Sequence, residues 1–237
     1  MTSPSPPPQA PTLVLLSGGL DSAVLVAHEA ERGPVAPLYV RVGLAWETLE
    51  LAMVERLLAH PSLSGTVSSL TTVEFTMRDV YAPSHWAIRG AAPAYDTPDQ
   101  DVYLTGRNLV LLSKAGVVAT AKGAHRIALG PLAGNPFPDA RPAFLQAMQQ
   151  ALSLGLDRPV EVVAPFLRWE KAAVIQRGLD LGVPLELTLS CMNPVPAADS
   201  SAVPRHCGRC SKCRERRDAF AAVGHPDPAG YAAASPR

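Results

Sequence analysis

Two clusters of residues in this chain have the types and spacing to do chemistry. The first is Ser17-Gly18-Gly19-Leu20-Asp21-Ser22, which follows directly on the apolar run Thr12 to Leu16. A buried strand, a glycine turn and a helix in that order aim free backbone N–H groups at an anion. Gly18 and Gly19 allow a tight turn and close approach of a phosphate, and Ser17 and Ser22 add hydroxyl donors. A plain strand-to-helix turn is the alternative, but six consecutive residues in this context favour a phosphate loop. There is no G-x-x-x-x-G-K-[ST] here, which argues against γ-phosphate transfer, and no G-x-G-x-x-G, which argues against a dinucleotide site. Asp21 stands at the helix start, where a carboxylate opposes a phosphate unless it faces Mg²⁺, and it is read as metal-facing.

The second cluster is Cys191, Cys207, Cys210 and Cys213, the only cysteines of the chain. Their spacing suits a closed, structural zinc site of four thiolates, with an iron–sulfur cluster as the competing reading. The basic residues Arg205, Arg209, Lys212, Arg214, Arg216 and Arg217 around them can offset the thiolate charge. His206 adjoins Cys207 and is a substitute ligand that four cysteines make unnecessary. If a metal takes all four thiols, none remains for a persulfide or a glutaminase nucleophile, and a nitrogen donor would be free ammonia.

Single residues add to this. Arg107-Asn108 opens a helix after an expected strand end at Val102 to Leu104, and an arginine there can hold a phosphate or a carboxylate in two-pronged fashion; a solvated helix-start charge is the plainer role. Lys171 lies in the first turn of its helix, a place the dipole disfavours for a cation unless a phosphate partners it. A surface lysine is the alternative. Asp139, in Pro138-Asp139-Ala140-Arg141-Pro142, reads first as a helix N-cap.

The elements that must position these groups alternate. Strands are expected at Thr12–Leu16, Val35–Val42, Thr66–Phe75, Arg126–Leu129 and Val160–Val163. Helices are expected at Asp21–Arg32, Glu47–His60, Asn108–Lys122, Arg141–Leu154 and Trp169–Leu181. Strands alternating with helices of this size imply an α/β fold, a doubly wound, mostly parallel sheet. Residues 76–105 are irregular, which in a compact domain marks a functional or mobile stretch. The organisation expected is a flexible Pro-rich extension at 1–11, an α/β domain at 12–190, a cysteine segment with a terminal helix at 191–227, and a flexible tail at 228–237. Hydrophobic residues are 47% and charged residues 18%, as in a globular enzyme. Lys plus Arg balance Asp plus Glu, 21 against 21, so a nucleic-acid partner is not expected. No run is long enough for a bilayer and the N-terminus does not read as a signal peptide, so a cytoplasmic protein is expected.

The six loop residues resemble the signature of the ATP pyrophosphatases, which cleave ATP between the α and β phosphates. Taken with Gly106-Arg107-Asn108-Leu109, Pro138 to Pro142, Lys171, Ser190-Cys191 and Cys207-Gly-Arg-Cys210-Ser-Lys-Cys213, the chain resembles the 7-cyano-7-deazaguanine synthase family of the queuosine pathway, from Leu15 to about Asp227. The resemblance implies adenylation of the carboxylate of 7-carboxy-7-deazaguanine, capture by ammonia, and a second ATP that drives dehydration to the nitrile. It implies ATP with Mg²⁺, and zinc on the four cysteines. Leu15, Leu16, Ser17, Gly18, Gly19, Leu20, Asp21, Ser22, Ala23, Val24 and Leu25, with Arg107, would line the ATP site. Ser17, Asp21, Ser22 and Lys171 would act in catalysis, and Trp46, Asn108, Asp139 and Arg141 would meet the substrate. Two segments depart from the family. Arg41-Val42-Gly43-Leu44-Ala45-Trp46 stands where relatives show Asp-Tyr-Gly-Gln-Arg-His, and Ala133 to Phe137 stands where they show Asp-Tyr-Ser-Gly-Tyr. Trp46 can stack on a flat heterocycle or simply pack. Other readings are an adenylating ligase for another carboxylate and a non-catalytic nucleotide-binding zinc module. A homodimer is one assembly the sequence leaves open.

Overall fold

The computed structural model describes residues 9–197 and 203–234. Five strands form one parallel sheet: β1 (Thr12–Leu15), β2 (Val35–Arg41), β3 (Thr71–Glu74), β4 (Arg126–Ala128) and β5 (Glu161–Val163), in the order β3-β2-β1-β4-β5. The helices are α1 (Leu20–Ala30), α2 (Glu47–Leu58), α3 (Trp86–Arg89), α4 (Arg107–Ala121), α5 (Pro142–Gly155), α6 (Lys171–Asp180) and α7 (Ser211–Val223). None of the described helices is long and apolar enough to cross a membrane.

Alternation along the strands sorts the core into two layers. Leu13, Leu38 and Ile127 face one side and pack with Leu112 and Ala115 of α4 and Leu145 and Leu152 of α5. Val14, Tyr39 and Ala128 face the other and pack with Val24 of α1, Leu57 of α2 and Ile175 of α6. Helices thus cover both faces, as strands that are apolar on both sides require. Gly178 lets α6 close on α1, since a Cβ there would stand 2.7 Å from Val24. Glu29 of α1 is 1% exposed, and both its oxygens accept from Arg126 of β4 at 3.1 and 3.2 Å. That charge-assisted pair ties the helix to the sheet.

Two expectations change. The third strand, expected over 66–75, is broken. Val35 donates to Thr66 and accepts from Ser68, but regular pairing resumes only at Leu38 with Thr71. Pro37 lies between and has no N–H to give the ladder. Val102 to Leu104 is no strand end: Asp99–Val102 is a 3₁₀ turn. The irregular stretch 76–105 is held down, with Met77, Tyr81, Ala87, Val102 and Leu104 buried in the first core layer.

The tail is also anchored over its described part. Gly230 accepts from His206 N–H at 2.9 Å, Ala232 donates to His206 at 2.8 Å, and the Arg217 guanidinium sits 3.9 Å from the Tyr231 ring centre. Residues 1–8 of the expected extension, and 235–237 of the expected tail, lie outside the described residues.

Arg216 locks the C-terminal segment to the domain. It is 0% exposed and donates to Asp227 at 3.0 Å, to Thr188 Oγ1 at 2.7 Å and to the Leu185 carbonyl at 3.1 Å. Removing one member of such a buried pair leaves the other charge unmatched. Arg216→Ala is expected to destabilise the metal-loaded protein by roughly 3–5 kcal/mol, read from the guanidinium chloride midpoint.

Candidate active site

Strand order reverses at β1, because the chain runs outward through β2 and β3 and then returns to β4 on the other side. An open parallel sheet leaves a crevice at the carboxyl ends of the strands at such a point. A cavity of about 320 Å³ opens there, lined by Leu15 at the end of β1 and Leu16 after it, Tyr39 and Val40 of β2, and Leu129 and Gly130 after β4.

The loop after β1 forms the cavity floor. Gly18 takes φ +77°, and a Cβ on it would meet Val54 at 2.9 Å. Ser22 Oγ accepts from Ser17 N–H at 3.2 Å, donates to the Gly19 carbonyl at 3.0 Å, and lies 3.2 Å from Ser17 Oγ. Gly19, which caps α1, offers no side-chain acceptor, so the first-turn N–H groups have no side-chain cap, and Leu20, Asp21 and Ser22 of that turn line the cavity. Ala23, Val24 and Leu25 are buried in the core behind the loop and do not line the cavity.

Lys171, at the head of α6, reaches the same floor. Its ammonium donates to Asp21 Oδ2 at 3.1 Å and to Glu215 Oε1. Burial works against this charge, but Asp21 and Glu215 outweigh it and hold the ammonium above the usual lysine range. Asp21 Oδ1 is buried with no hydrogen-bond partner among the described residues. A buried carboxylate oxygen in that condition fits a hard cation such as Mg²⁺.

The facing wall comes from α4. Arg107 lines the cavity with its Nε buried and without a hydrogen-bond partner among the described residues. Asn108 N–H donates to Asp139 Oδ2 at 3.0 Å, and Asn108 Nδ2 donates to the Asp139 carbonyl at 3.0 Å. Asp139 therefore caps α4 and not α5, whose N-cap is Arg141. A carboxylate serves whichever orphan N–H the fold brings near, and thirty-one residues of chain separate these two. Burial pushes the Asp139 carboxyl above its usual range. Arg141 is exposed and does not line the cavity, unlike Trp46, Asn108 and Asp139.

Trp46 is 7% exposed and stacks on Trp86, with ring centres 5.8 Å apart and planes 9° from parallel. Leu44 is buried beside it, so the segment that departs from the family packs, with Trp46 also reaching the cavity wall. Glu47 holds the turn by accepting from the N–H groups of Val42 at 2.6 Å and Gly43 at 3.0 Å. In the second departing segment, Phe137 stacks on Tyr103 at 5.0 Å, and both line the cavity.

The four cysteines are buried, and their sulfurs all lie within 4.8 Å of one another. Nearest pairs are 3.5 to 3.9 Å apart, too far for disulfides. Cys191 Sγ accepts from the N–H groups of Asn193 and Cys207, and Cys207 Sγ accepts from Arg209. Backbone N–H groups aimed at sulfur suit thiolates that hold a metal ion. His206 is not among them; its Nε2 accepts from Ser190 N–H at 3.1 Å. Ser190 and Met192, either side of Cys191, line the cavity, so the metal-type cluster adjoins the site.

Glu50 and Glu215, to which the sequence reading gave no role, and Lys212, read there only as offsetting the cysteine charge, also line the cavity. Glu50 had a signal: it falls at helical spacing on the stripe of Met53, Val54 and Leu57. Its carboxylate accepts from Tyr39 O–H at 2.6 Å. Burial, against the pull of Arg107, pushes its carboxyl from 4.5 up to about 7. The folded protein thus binds this proton more tightly than the unfolded chain does. Stability from this group falls as pH rises from 4.5 through about 7 and levels off above. Glu50→Gln is expected to flatten that part of the profile, seen by comparing urea midpoints at about pH 5 and about pH 8.

Comparison with known proteins agrees with the site. Residues 11–224 match the family described as queuosine biosynthesis protein QueC. A 7-cyano-7-deazaguanine synthase of Azoarcus sp. (strain BH72) is 36% identical over 93% of this chain and 96% of its own length. Proteins of the same name from Magnetococcus marinus and Anaeromyxobacter dehalogenans are 34% and 36% identical, over 92% and 93% of this chain and 96% and 95% of theirs. A glycine loop after β1, four clustered cysteines and end-to-end similarity coincide in one chain, which belongs to the QueC family of queuosine biosynthesis proteins, the 7-cyano-7-deazaguanine synthases.

Proposed function

We propose that the chain converts 7-carboxy-7-deazaguanine and ammonia to 7-cyano-7-deazaguanine at the expense of ATP. The observation that carries this reading is the shared cavity: the phosphate loop, Lys171 and Asp21 face Arg107 and an aromatic wall across one crevice. The substrate carboxylate attacks the α-phosphorus of ATP, and pyrophosphate leaves. Ammonia adds to the acyl-adenylate, loses a proton and expels AMP to give the amide. The amide oxygen then attacks the α-phosphorus of a second ATP and displaces pyrophosphate, and loss of AMP with both amide protons leaves the nitrile.

The residues act by holding charge. Ser17, Ser22 and the N–H groups at the head of α1 receive the departing pyrophosphate, and Lys171 balances it. Asp21, through its unpartnered oxygen, holds Mg²⁺ that comes with the nucleotide. Arg107 has an unused Nε in the cavity wall and can take an anionic group of either substrate. Tyr103 and Phe137 offer flat faces to a bicyclic ring. Zinc on Cys191, Cys207, Cys210 and Cys213 would be closed to substrate and would stabilise the C-terminal segment. Reduced thiols at such a site suit the cytoplasm.

One observation favours a second reading. Leu44 and Trp46 are buried where relatives carry Gln-Arg-His, so polar partners for a ligand edge are missing there. The same chemistry could then serve another flat carboxylate and stop at an amide, and the mass of the product separates the two.

Single-donor losses at such sites cost about two to three orders of magnitude in rate. Asp21→Ala and Ser17→Ala are each expected to lower pyrophosphate release by about a hundredfold with ATP, 7-carboxy-7-deazaguanine and ammonium present. Rates near wild type in both would remove the loop from the mechanism.

Elemental analysis is expected to find zinc, one ion per chain. Cys210→Ser is expected to lose it and to melt at a lower temperature, because binding and folding are coupled at closed thiolate sites. Iron with acid-labile sulfide, or a well-folded protein without metal, is the outcome that contradicts this.

A further inference from the structure

The cysteine segment does more than close the fold, because α7 begins inside it and sends two charged side chains into the cavity. Lys212 lies between Cys210 and Cys213, and Glu215 one turn on. Both line the cavity with Lys171. The Glu215 carboxylate bridges the two ammonium groups: Oε1 accepts from Lys171, and Oε2 accepts from Lys212 at 2.5 Å. Lys212 also lies 3.8 Å from Asp99 Oδ1, an oxygen with no hydrogen bond of its own among the described residues.

An ordinary surface pair at this spacing would use Glu215 for Lys212 alone and sit in solvent. Here the pair is mostly buried, with 27% of the Lys212 side chain and 24% of the Glu215 side chain exposed. Glu215 is also shared with the lysine that contacts the phosphate loop through Asp21. A lysine in a first helical turn stands against the positive end of the dipole, so its place is unfavourable unless an anion compensates. Glu215 supplies that anion at rest. Lys212 is long and unbranched, so its ammonium can leave Glu215 for a stronger anion in the same cavity without moving the backbone.

We propose that Lys212 is a second cationic arm for pyrophosphate, parked on Glu215 at rest and transferred to the phosphate oxygens when the anion is present. The segment that holds the cysteines would then supply part of the anion site directly. This rests on the phosphate-loop reading above and adds to it a residue that neither loop nor spacing indicates.

Inorganic pyrophosphate, titrated calorimetrically with Mg²⁺ into the metal-loaded full chain, tests it without turnover. Lys212→Gln is expected to bind about tenfold more weakly, the loss of one charge-assisted contact, with zinc content and melting temperature unchanged. Lys212→Arg, which keeps the charge, is expected to stay close to wild type. Equal binding by wild type and Lys212→Gln overturns the proposal while leaving the loop reading intact. Failure of wild type to bind pyrophosphate sinks both. Weakened binding in Lys212→Gln that comes with lost metal or lower melting, or that Lys212→Arg shares in full, also overturns the proposal, because Lys212 would then act through the fold.

Discussion

The ammonium of Lys171 is the point on which the site depends. It is buried, and a buried cation must be matched by charge or abandon its proton. Asp21 and Glu215 match it, one from the loop after β1 and one from α7. Three stretches of chain, near residues 21, 171 and 215, are held together at one atom. The loop after β1, the head of α6 and the cysteine segment cannot drift apart without leaving partly buried charges unpaired.

The remaining architecture supports that meeting. Gly18 lets the loop pass within contact of α2. Glu29 with Arg126 fixes α1 to the sheet, and Arg216 fixes α7 to Leu185, Thr188 and Asp227. The stretch 76–105 closes the other side, where Arg214 donates to the Thr97 carbonyl and Ala94 bridges to Cys210. It also brings Trp86 and Tyr103 to the cavity wall. The four clustered cysteines lie at this junction, where α7 begins and presents Lys212 and Glu215.

The cavity wall differs in character from its floor. The floor is made of the loop after β1 and its short side chains, whose geometry follows from the turn itself. The wall is made of side chains from separate stretches of chain, among them Trp46, Trp86, Tyr103 and Phe137, each placed by its own packing. A wall built of packed side chains can be repacked without disturbing the floor.

By itself the sequence determined the alternating elements, the two-faced parallel sheet, the glycine turn between β1 and α1 and the grouping of the four cysteines. Each of these is a local pattern: an apolar period, a glycine turn, a ligand spacing. Lys171 and Arg107 were legible as helix-start cations that wanted anions. What the tertiary structure decided is every pairing across long stretches of chain. Asp139 caps α4 because α4 happens to open beside it, Arg141 is left outside the cavity, and Pro37 of β2 splits the third strand from a place far away in sequence. The sequence places Lys212 only among the basic residues that offset the cysteine charge and gives Glu215 no role; docking of α7 against α6 is what brings both to Lys171 and the loop after β1. Hydrogen bonds and ion pairs fall off within a few ångströms, so partners far apart in sequence are settled only once packing has set the distances.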